Sequence, residues 1–374
     1  MKNNNEKIRK TGIAILLIAA LTMTMLLSSC GGDDQSDDED GRIRVIATIF
    51  PQYDFVRQIA GERVELSMLL SPGAESHGFE PTARDIVTLS NADLLIYVGG
   101  HSDEWVERIV TSVNEDRETN LRTVALIDLV ETVMTEHYHD HHHDSHGHSH
   151  YHHDSHHSHD DAHHEHSHHY DDYGHDHEHH HDSSHDHDDH SHHHHDHENH
   201  EDEHVWTCLR NAVTIVQALT DALAELDPDN AEFFRANAAA YIAELQELDQ
   251  AFTEMISQAA RTTVVFGDRF PFRYLTDTYG LTYHAAFTGC SPETQASPAT
   301  IARLIETVRH ENIPVIFQIE LSDGGIARTI AVETGARILE LHSAHNVSPA
   351  DFSAGVTYLD LMRRNLEHLR EALN

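Results

Sequence analysis

Apolar residues recur along this chain with two different periods. Short runs rich in Val and Ile, at Ile43–Thr48, Val64–Leu70, Leu94–Val98 and Thr123–Ile127, have the length and β-branched content of buried strands. Between them, Gln52–Gly61, Thr82–Asn91 and Asp103–Glu115 carry apolar residues at helical spacing. Further on, Trp206–Leu226 does the same with Val213, Val216, Leu219 and Leu223. The second half repeats the alternation. Its strands are Thr263–Phe266, Leu281–Ala286, Val315–Ile319 and Arg337–Leu341, and its helices Phe270–Tyr279, Pro298–Glu311, Gly324–Thr334 and Pro349–Leu373. Four strand–helix units in each half predict an α/β fold of two doubly wound (β/α)4 lobes, each on a parallel sheet with right-handed crossovers.

One segment between the halves is too long to be a crossover. Phe234, Ala238, Tyr241, Leu245, Leu248, Phe252 and Met255 recur every three or four residues, inside a helical pattern from Asp229 to Ala260. Asp227 precedes it as a candidate cap and Pro228 sits at the expected first position. Such a helix would extend about 48 Å, far beyond a strand of about 20 Å. It reads as a rigid rod joining the lobes, since a flexible linker would be rich in Gly and Ser.

The regions outside this pattern change the picture. Lys2, Lys7, Arg9 and Lys10 precede an apolar stretch, Gly12–Leu27, that ends in Leu27-Ser28-Ser29-Cys30. This is the form of a secretory signal peptide, and the small residues before Cys30 resemble the bacterial lipobox, in which that cysteine is lipidated. Gly31 to Gly41 holds only Gly, Ser, Gln and acids, a tether without core residues. Two lipid chains on Cys30 would hold the protein at the outer face of the cell membrane. No lysine follows Lys10. The chain carries 64 Asp and Glu against 24 Lys and Arg, a net charge of −40, which excludes a nucleic-acid binder that works through a basic surface. Of the 40 histidines, 33 lie between His137 and His204. Residues 137–203 alternate His with Asp, Ser and Glu and cannot bury enough apolar surface to fold; they read as a disordered, multi-site metal collector inserted in the first lobe. The expected organisation is therefore a signal peptide at 1–29, a tether at 30–41, a first lobe at 42–226 containing the insertion, a linking helix at 227–260 and a second lobe at 261–374.

Ligands of open α/β sheets bind beyond the carboxyl ends of the strands. The second strand is followed by Ser71 to His77, the fourth by the histidine-rich tract ending at Asp202-Glu203-His204, the fifth by Gly267-Asp268-Arg269 and the eighth by His342-Ser343-Ala344-His345. A cleft between the lobes would gather these side chains, and their chemistry is that of a metal site. His101, after the third strand, reads as an ordinary loop residue. His284 reads as a packed strand residue, and His310 and His368 as solvated helix residues. Cys208 and Cys290 could pair in an oxidising compartment, with buried thiols as the alternative.

These phrases carry a family resemblance. Phe50-Pro-Gln-Tyr53-Asp, Pro72-Gly-Ala-Glu-Ser-His77-Gly-Phe-Glu-Pro81, Arg84-Asp-Ile, Asn91-Ala-Asp-Leu-Leu, Asp202-Glu-His204-Val-Trp206, Asp227-Pro-Asp-Asn-Ala231 and Gly355-Val-Thr-Tyr-Leu, in this order, resemble the zinc- and manganese-specific solute-binding lipoproteins of bacterial ABC importers. The resemblance covers nearly the whole chain after Cys30. It implies two (β/α)4 lobes bridged by a rigid helix, with metal at their interface and a His-rich loop as in the zinc members. It implies His77 and His204 as ligands. The family's third ligand is a histidine whose position is taken here by Gly267, which has no side-chain donor. The fourth, often a carboxylate, falls at His342. The expected set is His77, His204 and His342, completed by Asp268 or His345, with Arg269 free to pair with an acid such as Glu320. A mostly histidine site favours Zn²⁺ over Mn²⁺, which takes more oxygen ligands. The implied partners are an ABC permease and a separate ATPase, since the chain has no Gly-x4-Gly-Lys-Ser/Thr phosphate loop.

Two other functions share the same ligands. One is a surface metal buffer or adhesin without transport. The other is a metal-dependent hydrolase, against which stand the absence of Gly-x-Ser-x-Gly and of His-Glu-x-x-His. The expectation is a non-enzymatic zinc carrier.

Overall fold

A computed structural model describes residues 41–74, 79–115, 117, 120–133, 201–287, 289 and 296–374. The signal peptide, Cys30, the tether, His77, the histidine-rich tract up to residue 200 and Cys290 lie outside the described residues.

The strands are β1 (Arg44–Ala47), β2 (Glu65–Met68), β3 (Leu94–Tyr97) and β4 (Arg122–Ala125) in the first lobe, and β5 (Thr263–Phe266), β6 (Thr282–Ala285), β7 (Val315–Gln318) and β8 (Arg337–Glu340) in the second. The helices are α1 (Phe50–Ala60), α2 (Ala83–Ser90), α3 (Glu104–Glu115), α4 (Leu209–Leu226), α5 (Ala231–Ser257), α6 (Arg273–Tyr279), α7 (Pro298–His310), α8 (Gly325–Thr334), α9 (Pro349–Ser353) and α10 (Tyr358–Leu373). All strand pairs are parallel, in the orders β2-β1-β3-β4 and β6-β5-β7-β8. In both sheets the chain order reverses beside the first strand, so the carboxyl ends of β1 and β5 open a crevice in their lobes. Thr48 and Ile49 at the end of β1 line a cleft with His345 of the second lobe.

The central strands β1, β3, β5 and β7 are almost wholly apolar and buried, as helices on both faces of a parallel sheet require. The rod expected from the sequence is α5. Its buried residues are the predicted stripe, from Phe234 through Leu245 and Phe252 to Met255. It packs on α1 and α4 of the first lobe and on α10 of the second, so one helix closes both cores. Burial of Phe234 and of Phe252 contributes roughly 1.5–3 kcal/mol each.

Two boundaries and the setting of one histidine are among the differences from the sequence expectation. The rod starts at Ala231 rather than at Pro228, because Asp227 accepts from Asn230 N (3.2 Å) and Asn230 Nδ2 (2.6 Å) and closes a turn first. The last helix is two helices, broken at Gly355 (φ +74°) and restarted by a capping box between Thr357 and Asp360. His368 is half-buried and its Nδ1 donates to Glu340 O (2.6 Å), so it is not merely solvated.

Two further contacts bear on the cleft. Buried Asp54 on α1 accepts from Tyr358 N at the start of α10 (2.6 Å), and the Tyr358 hydroxyl donates to Trp206 O (2.6 Å). The lobes are thus joined beside the site as well as along α5. The rims of the histidine-rich insertion also meet: Asp202 N donates to Val133 O (2.7 Å) and Thr132 Oγ1 to Glu201 Oε1 (2.7 Å). Holding together the ends of a loop of about 67 residues costs about 4 kcal/mol in chain entropy, so these rim contacts act against a real opposing term.

Candidate metal centre

His204 opens the short helical turn Val205–Thr207 that follows the insertion. Its carbonyl accepts from Thr207 N (3.1 Å) and Thr207 Oγ1 (2.8 Å), which fixes the backbone. Its side chain is 1% exposed, and both its backbone N and its ring Nδ1 lie 2.9 Å from Asp202 Oδ1. A carboxylate only accepts at neutral pH, so Nδ1 carries the proton and Nε2 bears the ring lone pair that a metal would take. This is the carboxylate–histidine pairing that orients metal-bound imidazoles.

The second lobe contributes the turn after β8. His345 borders the cleft, with its ring centroid 5.6 Å from that of His204 and 5.1 Å from that of Trp206. Zinc–nitrogen bonds of about 2.0–2.1 Å put a bound ring's centroid about 3.2 Å from the metal, hence two tetrahedral imidazoles about 5 Å apart. The observed 5.6 Å is close to that spacing. The turn is held firmly. Ser343 N and Oγ both donate to the Glu320 carboxylate, Ser343 O accepts from Trp206 Nε1 (2.8 Å), and Phe50 N donates to His345 O (3.3 Å). Ala344 takes φ +60°, a left-handed conformation unusual for a residue with a side chain, which turns the chain sharply between the two histidines.

His342 faces a different task. Its Nδ1 accepts from Ala344 N (3.0 Å), which places the ring proton on Nε2 and leaves no free lone pair in the neutral ring. Glu320 Oε2 lies 3.7 Å from the same Nδ1, and Asn365 brackets the backbone of His342 through its N and O. Glu320 is engaged by Ser343 N and Oγ.

The position of Gly267, where the resemblance implies a histidine, has no room for a side chain. A Cβ there would lie 2.4 Å from Ala327 Cα, so α8 crosses the strand end where a side chain would project. Its neighbour Asp268 is 9% exposed; Oδ1 accepts from Arg269 N (2.9 Å), and Oδ2 is buried without a hydrogen-bond partner. Burial raises its pKa, against the Ser322 hydroxyl and the backbone amides of Arg269 and Ile319 that lower it. An orphaned buried carboxylate oxygen is costly unless something else engages it.

The cleft wall beside His345 is aromatic and acidic: Phe79, Trp105, Trp206, Asp103 and Glu203. Asp103 Oδ2 accepts from Val98 N (2.8 Å) and Gly99 N (3.1 Å) at the end of β3. Its pKa is raised to about 6, mainly by burial, with Glu203 adding to the rise and the two amides opposing it. Glu203 belongs to the Asp202-Glu203-His204 phrase, whereas Asp103 is not a site candidate from the sequence. The signal was available in Gly99-Gly100: a Cβ at Gly100 (φ +76°) would lie 2.7 Å from Glu203 Oε1.

Among the described residues, no three metal-binding side chains converge into a complete set. His204 and His345 are brought together, Asp268 stands at the end of β5, and His342 is otherwise engaged. His77 belongs to the segment that leaves the turn Ser71–Ala74. That turn has Pro72 and Gly73 (φ +83°) at its corner, and Asn346 Nδ2 donates to its carbonyls at Ser71 and Ala74 (2.9 Å each). The root of the His77 segment is therefore tied to the residue after His345. His101 is exposed, with Nδ1 2.7 Å from Glu104 Oε1, and Cys208 is buried and free.

Comparison with known proteins gives the same frame. The family model described as zinc-uptake complex component A, periplasmic (ZnuA), matches residues 45–372. The zinc-binding lipoprotein AdcA of Streptococcus pneumoniae is 27% identical over 358 residues, which cover 96% of this chain and 60% of that protein. The chain thus spans less than two thirds of the length of this relative. The high-affinity zinc uptake system protein ZnuA of Bacillus subtilis is 27% identical over 352 residues, covering 93% of this chain and 94% of that protein. The crystal structure of the Zn(II)-bound ZnuA-like domain of Streptococcus pneumoniae AdcA superposes with a TM-score of 0.62 at 24% identity, over 89% of this chain and 99% of that one. It shares the two-lobed fold.

Proposed function

From the premise that this chain belongs to the ZnuA family of zinc-uptake components, we propose that it captures Zn²⁺ outside the cytoplasm and delivers it to an ABC permease driven by a separate ATPase. Zinc is the cargo and no catalysis is involved. Cys30 anchors the chain to the outer face of the membrane by its lipid, and residues 137–203 collect zinc weakly around the cleft.

The observation that carries this reading is the Asp202–His204 pair set opposite His345 across a cleft between lobes that are already joined. His204 Nε2 and a His345 ring nitrogen supply two donors, and His77 supplies a third from the segment rooted at Ala74. The fourth is Asp268 Oδ2 or water. His342 supports the turn that aims His345 and is not a ligand. A metal held by neutral imidazoles and at most one carboxylate is coordinated as zinc prefers.

The test is growth under zinc limitation together with zinc binding by the isolated full chain. Loss of the protein should impair growth in chelated medium, and the wild-type chain but not His204→Ala should restore it. Tight zinc binding with no effect on zinc-limited growth would favour a surface buffer over an importer component.

A further inference from the structure

Tyr274 lies on α6 in the second lobe, yet its hydroxyl reaches the rims of the insertion in the first. It donates to Asp202 O (2.7 Å) and accepts from Val133 N (3.2 Å), so one oxygen holds both the departing and the returning strand. Asp202 is the residue whose carboxylate orients His204. The Tyr274 ring is 4% exposed, and its place is fixed by the buried face of α6. Among the described residues the rims also pair with each other through Asp202 N to Val133 O and Thr132 to Glu201, the second of these in solvent.

This matters because of what the rims join. The intervening tract is dense in histidine and acid, so any metal or proton load it takes changes its charge.

We propose that Tyr274 is a positioning residue that insulates the Asp202–His204 pair from the histidine-rich insertion. The proposal rests on the reading of His204 as a zinc ligand. Its consequence is that the tight site keeps one affinity whether the tract is empty or loaded. Without the hydroxyl, the geometry of the pair follows the state of the tract.

The test is a double-mutant cycle on tight-site zinc affinity, measured by competition with a chelator. Tyr274→Phe keeps the ring and removes the hydroxyl. It is made in the full chain and in a chain whose residues 137–200 are replaced by a short Gly/Ser linker, which the paired rims can accept. Wild type should bind zinc equally tightly in both backgrounds. Tyr274→Phe should lose affinity about 10-fold in the full chain, the scale of a lost outer contact at a metal site. With the linker the loss should be no more than about 2-fold, since little is left to pull on the rim. Equal losses in both backgrounds would mean that Tyr274 is only structural, and no loss in either would mean that it positions nothing; both overturn the proposal. Val133→Pro removes the hydrogen bond that the hydroxyl accepts but not the one it donates to Asp202 O, so it should show the same dependence on background with a smaller loss, which keeps the inference testable if Tyr274→Phe folds poorly. Absence of a tight site in wild type would instead refute the zinc-carrier reading, and this inference with it.

Discussion

Replacing Asp202 by Asn perturbs the candidate site without changing its shape. The carboxylate Oδ1 accepts from both the backbone N and the ring Nδ1 of His204, at 2.9 Å each. An amide oxygen can still accept, but it is neutral and no longer supports the positive charge that the ring gains on binding Zn²⁺. The amide can also turn its NH2 toward Nδ1, which would move the ring proton to Nε2, the atom required by the metal. Loss of such an outer carboxylate lowers metal affinity about 10- to 100-fold, or about 1.4–2.7 kcal/mol. Chelator competition at pH 7.5 reads this directly, and circular dichroism checks that the variant is folded. An Asp202→Asn chain with wild-type affinity would refute the assignment of Nδ1 as donor and Nε2 as ligand.

Three further outcomes are expected. His345→Ala should cut tight zinc affinity at least 10-fold, while His342→Ala should retain binding but lower stability by about 1–3 kcal/mol through the unpaired Ala344 amide, as urea unfolding would report. Gly267→Ala should destabilise the second lobe by about 1–3 kcal/mol or prevent folding, because the added methyl would meet the backbone of α8, and thermal unfolding would show it. Asp103 has its folded pKa raised to about 6 from an ordinary value of 3.8, so the native state binds the extra proton and this group's contribution to stability grows as pH falls from about 6 toward 4. Asp103→Asn should remove up to about 3 kcal/mol of that pH dependence, seen by urea unfolding at pH 4.5 and 7.

The central strands were legible because they are buried on both faces, so apolar runs such as Val264-Val265-Phe266 mark them without any knowledge of their neighbours. The rod was legible for the same reason: one stripe from Phe234 to Met255 serves both cores. The break in the last helix had its signal in Gly355 and in Thr357-x-x-Asp360, which the longer apolar period concealed. The Asp202–His204 pair was legible as a motif. The different hydrogen bonding of His342 and His345 was not, because it depends on the φ of +60° at Ala344, a conformation its residue type does not announce. Why Gly267 carries no side chain was equally hidden, since the obstacle is Ala327, sixty residues away in sequence. Tyr274 reads as one more helix residue until the fold brings Val133 and Asp202 to its hydroxyl.

The central claim is that one zinc ion sits between the lobes on His204 and His345. The most direct measurement is a crystal structure of the chain loaded with one equivalent of Zn²⁺, with anomalous data collected at the zinc edge. The account predicts a single strong peak in the cleft, about 2.0–2.1 Å from His204 Nε2 and from a ring nitrogen of His345. A peak bound by His342 instead, or a cleft without zinc while His204 stays on Asp202, would contradict it.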